Sequence, residues 1–173
     1  YHESDHVLNM AYNILCGGRT LDDLDHLRHD EAYLNAINAR RIPDPTTAGD
    51  FLRRFVTLDD TDRLAEAINT VRVRLWKMQR KAFRELALID IDGTIAPTLG
   101  EKKEGCDFSY KGEFGYAPLV VSMANSKEVL YVHNRPGNRP SHEDAFEFLA
   151  PAVEWVKEGG FKKVRLRGDT DFS

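Results

Sequence analysis

Long apolar runs are missing from this chain of 173 residues. No stretch approaches the roughly twenty consecutive apolar residues that a membrane-spanning helix needs, which excludes such a span. An excess of basic charge is missing as well. With 24 Lys and Arg against 28 Asp and Glu, the formal net charge is −4. That argues against a strongly basic nucleic-acid binder, although phosphate contacts depend on local patches rather than on the total. Cysteine is scarce. Cys16 and Cys106 lie far apart with no Cys or His at ligand spacing, so a disulfide framework and a zinc site are excluded, and reduced thiols suit a cytosolic protein. The chain starts at Tyr1 without a signal-peptide pattern, and it is expected to be a piece of a longer protein. A hydrophobic content of 42% is enough for one good core, or for one core with a helical appendage.

Residues 1–82 read as helical. Residues 5–15 carry Val7, Leu8, Ala11, Tyr12, Ile14 and Leu15 at helical spacing and stop at Gly17-Gly18. Thr20 is expected to cap a short helix with Leu21, Leu24 and Leu27 on one stripe, and a third helix covers 32–39. Ile42-Pro43-Asp44-Pro45 forbids helix, and Thr47 with Asp50 is a near-capping-box start for the next one. A longer helix over 58–81 has Leu64, Ala67, Ile68, Val71, Leu75 and Met78 on its apolar side. Arg40, Arg41, Arg53 and Arg54 flank the Pro turn and suggest a DNA-contacting module, with a solvated charged face as the plain alternative.

The period changes from Glu85 onward, and the domain boundary is expected between residues 82 and 83. Strands are expected at 86–91, 117–124, 129–134 and 163–167, with a long loop over 96–113 and a hairpin turn at 125–127. Residues 135–140 form a turn, and Ser141 caps a helix that Gly159-Gly160 ends. A three-stranded antiparallel meander followed by a crossover helix would return the last strand beside the first. The expected class is therefore α/β, in the order β-β-β-α-β, preceded by an all-helical N-terminal region.

Two strand ends carry carboxylates. Residues 86–94 read Leu-Ala-Leu-Ile-Asp-Ile-Asp-Gly-Thr, and Asp90 and Asp92, two apart, leave one face of a strand. Ionised acids cost several kcal/mol to bury unless a cation or hydrogen bonds satisfy them, so a divalent metal site is one reading and an Asp-Gly turn the other. The second end, 163–169, again runs into Gly168 and Asp169, with Asp171 two residues on. If the two strands are neighbours, Asp90 or Asp92 lies about 5 Å from Asp169 across the ladder, close enough to share a Mg²⁺.

These motifs resemble the DDE transposases of bacterial insertion sequences, in particular the DDE group 1 branch. The resemblance rests on Ile42-Pro43-Asp44-Pro45-Thr46-Thr47, on Asp50 to Phe55, and on Asp90-Ile91-Asp92-Gly93-Thr94. It continues through Gly115 to Leu119, Arg135-Pro136-Gly137-Asn138 with Ser141, and Arg167-Gly168-Asp169-Thr170-Asp171-Phe172. It implies a partial RNase H-like catalytic domain over 83–173, truncated after the second catalytic Asp. It also implies metal-dependent phosphodiester cleavage and strand transfer at insertion-sequence ends. Catalytic roles would fall to Asp92 and Asp169, and Mg²⁺ or Mn²⁺ would be held by Asp92, Asp169 and Asp90, with Asp171 a further candidate. Two ions roughly 3.5–4 Å apart activate the attacking oxygen and stabilise the leaving one. The family's third acid, a Glu on a later helix, has no counterpart before Ser173, so the isolated segment is expected to be inactive. Candidate DNA contacts are Arg53, Arg54, Arg135, Asn138, Arg139 and Arg167. The implied setting is cytoplasmic and nucleoid-associated, with element-end and target DNA and further copies of the chain as partners and no membrane.

Two alternatives stay open at this stage. Asp90-Ile91-Asp92-Gly93-Thr94 also resembles the first motif of haloacid-dehalogenase-like phosphatases, with Asp90 as nucleophile and Asp92 as acid/base. That fold needs alternating β and α units and a parallel sheet. The other alternative is a non-catalytic DNA-binding transposase remnant.

Overall fold

The computed structural model describes residues 1–100 and 103–169. They form two compact units, Tyr1–Asp62 and Arg63–Ser173. The change from helical to strand periodicity near residue 82 marks where the sheet begins, whereas the compact units divide earlier, at Asp62.

The first unit contains α1 (Glu3–Leu15), α2 (Leu24–Leu27), α3 (Glu31–Ala36) and α4 (Pro45–Leu52). Leu24, Ile42 and Ala48 are its buried centre, ringed by Leu21, Leu27, Tyr33 and Leu34. The apolar stripe expected for α1 is not its buried side. Leu8, Ile14 and Leu15 are exposed, while His6, Asn9 and Asn13 are buried. Backbone groups explain the reversal: Asn9 Nδ2 donates to the Pro43 carbonyl at 3.2 Å and Asn13 Nδ2 to that of Thr20 at 2.8 Å. These are loop carbonyls that no secondary structure satisfies. His6 stacks flat on Phe51 at 4.4 Å. At α4 the cap is Asp44 rather than Thr47. Pro45 occupies the first turn, where its missing N–H costs nothing. The Asp44 carboxylate accepts from Thr47 N and Oγ1, both at 2.9 Å.

Helix α5 (Leu58–Lys77), most of which belongs to the second unit, is followed by a 3-10 turn at Lys81–Arg84. The second unit then supplies β1 (Ala87–Gly93), β2 (Ala96–Pro97), β3 (Asp107–Phe108), β4 (Phe114–Tyr116), β5 (Leu119–Met123) and β6 (Glu128–His133). It ends with α6 (Ala145–Glu158) and β7 (Val164–Gly168). The main sheet is mixed, in the order β6-β5-β1-β7. Its β1–β5 and β5–β6 pairs are antiparallel, and its β1–β7 pair is parallel. This is the meander-and-crossover order expected from the sequence. Within the segment expected to be one long loop, 96–113, β2 and β3 are strands, and both pair with β4 in a small antiparallel sheet, β2-β4-β3.

Alternation explains which face of the sheet is covered. Ala87, Ile89 and Ile91 of β1 lie with Leu119, Val121 and Met123 of β5 in one core, together with Phe148, Ala152 and Val156 of α6. Each large aliphatic side chain so buried contributes roughly 1.5–3 kcal/mol. Leu88, Asp90 and Asp92 are thereby turned to the opposite face.

The face α5 buries is again not the expected one. Ile68, Val71, Leu75 and Met78 are exposed, whereas Asn69, Val73 and Trp76 are buried. A polar network selects this face. Asn69 Nδ2 donates to the Leu130 carbonyl on β6 at 2.8 Å, and Trp76 Nε1 donates to Glu128 at 3.0 Å. Arg72 pairs with Glu128 at 3.1 Å.

Two outcomes follow. Asn69→Ala leaves the buried Leu130 carbonyl without its donor and is expected to cost about 2 kcal/mol in urea unfolding; a loss under about 0.5 kcal/mol would mean that the network is not what seats α5. The Asp44 carboxyl is held below its usual value of 3.8 by the Thr47 hydrogen bonds. A depressed folded value stabilises above the unfolded one, so Asp44→Ala should be less stable than wild type at pH 7. The difference should vanish as pH falls through and below 3.8; a gap that persists at pH 2 would remove the carboxylate from the explanation.

Candidate active site

The parallel register places the two acidic strand ends together. Asp90 pairs with Arg167 and Ile91 with Gly168, so one further step brings Asp92 beside Asp169. Neighbouring strands lie about 4.8 Å apart. Asp90, Asp92 and Asp169 line one hollow of about 340 Å³ with Gly168 and Arg167. Asp92 and Asp169 are exposed, and Asp90 is half-buried. Asp171 lies outside the described residues.

The three acids are not equivalent. Both oxygens of Asp90 accept from Arg167, at 2.6 Å from Nε and 2.7 Å from Nη2. This pair raises the Arg167 guanidinium further above its usual value, through the hydrogen bonds first and the opposite charge second. The cost of holding an ionised Asp90 on the sheet is thus met by an arginine, with no need for a metal. Asp92 carries no arginine or lysine partner among the described residues. Its hard oxygen donors, with those of Asp169, suit Mg²⁺ or Mn²⁺ but supply only part of a six-oxygen shell. Among the described residues no group of three or more His, Cys, Asp or Glu is gathered to hold a metal.

Asp169 also borders a second hollow of about 340 Å³, lined by Gly93, Thr94, Lys111, Arg135, Arg139 and Ser141. Close approach builds its wall. A Cβ on Gly93 would stand 2.6 Å from Ser141 Oγ, so this glycine admits the loop rather than making the turn expected after Asp92. Ser141 accordingly does not cap α6, which starts at Ala145 behind Asp144 in left-handed conformation. A Cβ on Gly137 would meet the Asp107 carbonyl at 2.3 Å, which presses the 135–140 turn onto β3.

Arg135 organises this loop from inside. Only 4% exposed, it donates to the carbonyls of Ala117 at 3.1 Å, Pro140 at 3.1 Å and Glu143 at 2.8 Å. Burial lowers its guanidinium from the usual value, opposed by the charges of Glu143 and Asp144. The remaining candidate DNA contacts are engaged at the surface. Arg53 pairs with Asp50 at 2.7 Å, Arg54 with Glu3 at 3.2 Å, and Arg139 with Glu143. Asn138 donates to Asp107 at 2.7 Å. Arg40 and Arg41 line a separate hollow of about 460 Å³ in the helical unit. His133 is a β6 residue stacked on Phe148 at 4.3 Å.

Sequence reasoning named Arg167 and Asp90 but missed that they pair; the residue offset between the two acidic strands was the available signal. Lys111 was missed because it lies in a segment without recognisable periodicity. The phosphatase reading loses its fold requirement, since β1 is flanked by one antiparallel and one parallel neighbour. No helix among the described residues is long and apolar enough to cross a membrane.

The family model for transposase DDE domain group 1 matches residues 1–173. No curated protein and no solved structure matches the chain.

Arg135→Ala should cost about 3 kcal/mol in urea unfolding, because three carbonyls lose a charged donor at once, and Arg135→Lys should recover only part, since an ammonium cannot span them. Full stability in the lysine variant would contradict the bracketing role.

Proposed function

The chain belongs to the transposase DDE domain group 1 family, and from that premise we propose that it supplies two of the catalytic acids of a DNA transposase that cuts and joins phosphodiesters at insertion-sequence ends. The observation that carries this is the β1–β7 register, which brings Asp92 and Asp169 to adjoining strand ends on one hollow. The sheet order and the crossover through α6 support an RNase H-like catalytic domain.

Asp92 and Asp169 would hold the divalent ion. Bound there, Mg²⁺ or Mn²⁺ supplies Lewis-acid activation of the attacking oxygen and stabilises the leaving oxygen of an in-line displacement at phosphorus. Each unit, taken by itself, offers groups that would contact DNA. Arg139 and Lys111 border the adjoining hollow and offset phosphate charge there. Arg53, Arg54 and Arg139 sit in solvent-exposed ion pairs. Such pairs are worth about 0–1 kcal/mol, so exchanging an acid partner for a phosphate costs little. Asn138, which donates to Asp107, would exchange that partner for phosphate in the same way. Arg135, held by three carbonyls, shapes the wall rather than reaching out. Transposition would take place in the cytoplasm at the nucleoid, with copies of the protein assembled on element ends and target DNA.

The test is metal-dependent cleavage of labelled element-end DNA by the full-length transposase, wild type beside Asp92→Asn and Asp169→Asn. Each variant should lose cleavage and strand transfer by about a thousandfold, because metal-held charge stabilisation is worth several kcal/mol, while end binding is kept. Cleavage retained in either variant would remove that residue from the catalytic pair.

A further inference from the structure

Strand β7 is weakly pinned. It lies at the edge of the described sheet, with β1 as its only strand partner. Of its residues only Val164 is half-buried, and the rest are exposed. Its start is secured: Phe161 is in the core, Lys162 N donates to the Arg84 carbonyl at 2.9 Å, and Ala87 N to that of Lys163 at 2.8 Å. Its far end, from which Asp169 emerges, has no such apolar anchor. Register is poorly specified where no face is buried, and a slip by one residue turns every side chain to the other face. Such a slip would carry Asp169 away from Asp92. Parallel pairing is also slightly less stable per residue than antiparallel pairing.

At this end of the strand stands the one bidentate arginine–carboxylate contact between β1 and β7 among the described residues. Asp90 is fixed in place because Ile89 and Ile91 on either side of it are in the core. The planar guanidinium of Arg167 meets both its oxygens, at 2.6 Å and 2.7 Å. A fork of this kind constrains orientation as well as distance, which a single ammonium cannot do.

We propose that the Asp90–Arg167 fork is a register lock for the β1–β7 pair, holding Asp169 beside Asp92, and that Asp90 is a positioning residue and not a metal ligand. The placement of Asp169 rests on the two-acid reading given above, whereas the lock itself does not. The Asp-x-Asp motif then divides its labour: Asp92 would hold the ion, and Asp90 holds the strand that carries Asp169.

The test uses the 173-residue chain with Arg167→Ala, Arg167→Lys and Asp90→Asn. It reads amide hydrogen exchange across residues 165–169 and Mn²⁺ affinity by water-proton relaxation. Arg167→Ala and Asp90→Asn should speed exchange in this strand about fivefold, as expected for losing an ion pair of this class. They should weaken Mn²⁺ binding about tenfold or more, the usual effect of removing a residue that orients a ligand. Arg167→Lys keeps the charge without the fork and should behave like the alanine variant. Unchanged exchange in Arg167→Ala, or a lysine variant indistinguishable from wild type, overturns the lock. Mn²⁺ binding abolished in Asp90→Asn with exchange unchanged makes Asp90 a ligand and overturns the assignment. Absence of Mn²⁺ binding in the wild-type chain removes the two-acid metal reading, and the exchange measurement then decides the lock alone.

Discussion

The parallel pairing of β7 with β1 is the constraint on which the candidate site depends. β1 joins the two parts of the sheet's connectivity, pairing with β5 of the meander on one side and with β7, delivered by the crossover through α6, on the other. Its inward residues, Ala87, Ile89 and Ile91, are committed to the core. Since side chains alternate, this commitment forces Asp90 and Asp92 outward, whatever their chemistry. The crossover then delivers β7 alongside in a register where each acid of β1 meets a residue of the second motif, Arg167 opposite Asp90 and Asp169 one step past Gly168. Core packing on one face and charge placement on the other are two consequences of the same strand.

Buried polar side chains do the connecting elsewhere, and they follow one rule. A loop or edge carbonyl without a secondary-structure partner needs a donor, and a side chain that supplies one is drawn inside. Arg135 does so for Ala117, Pro140 and Glu143, Asn69 for Leu130, and Asn9 and Asn13 for Pro43 and Thr20. Orphaning such groups costs as much as losing an apolar contact. These brackets therefore decide which face of a helix is buried when its apolar periodicity alone leaves a choice. In α1 and α5 they prevail over the apolar stripe, leaving Leu15 and Leu75 in solvent.

Arginine is used in two distinct ways within one motif set. Arg135, in the Arg-Pro-Gly-Asn turn, is structural despite its charge, since its guanidinium is enclosed by carbonyls. Arg53, Arg54 and Arg139 stay at the surface with acid partners, where the same charge remains exchangeable. Position in sequence does not separate Arg135 from these three; burial does, at 4% exposure for Arg135.

The sequence by itself determined the alternation of 86–91, the meander, the crossover helix and the two acidic strand ends, because these are local properties of period, turn residues and residue type. Asp92 and Asp169 could be paired on paper, since strand order follows from connection rules. Only the tertiary structure decided that Asp90 belongs to Arg167, that Gly93 makes room for Ser141, that β2, β4 and β3 form a second sheet, and that Arg135 is interior. Each of these depends on contact between segments distant in the chain, where a hydrogen bond or a close approach selects one partner among several that local pattern allows. The exposed stripe of α5 has the same origin: periodicity specifies an apolar face, but the donors and acceptors of β6 specify which face is turned toward it.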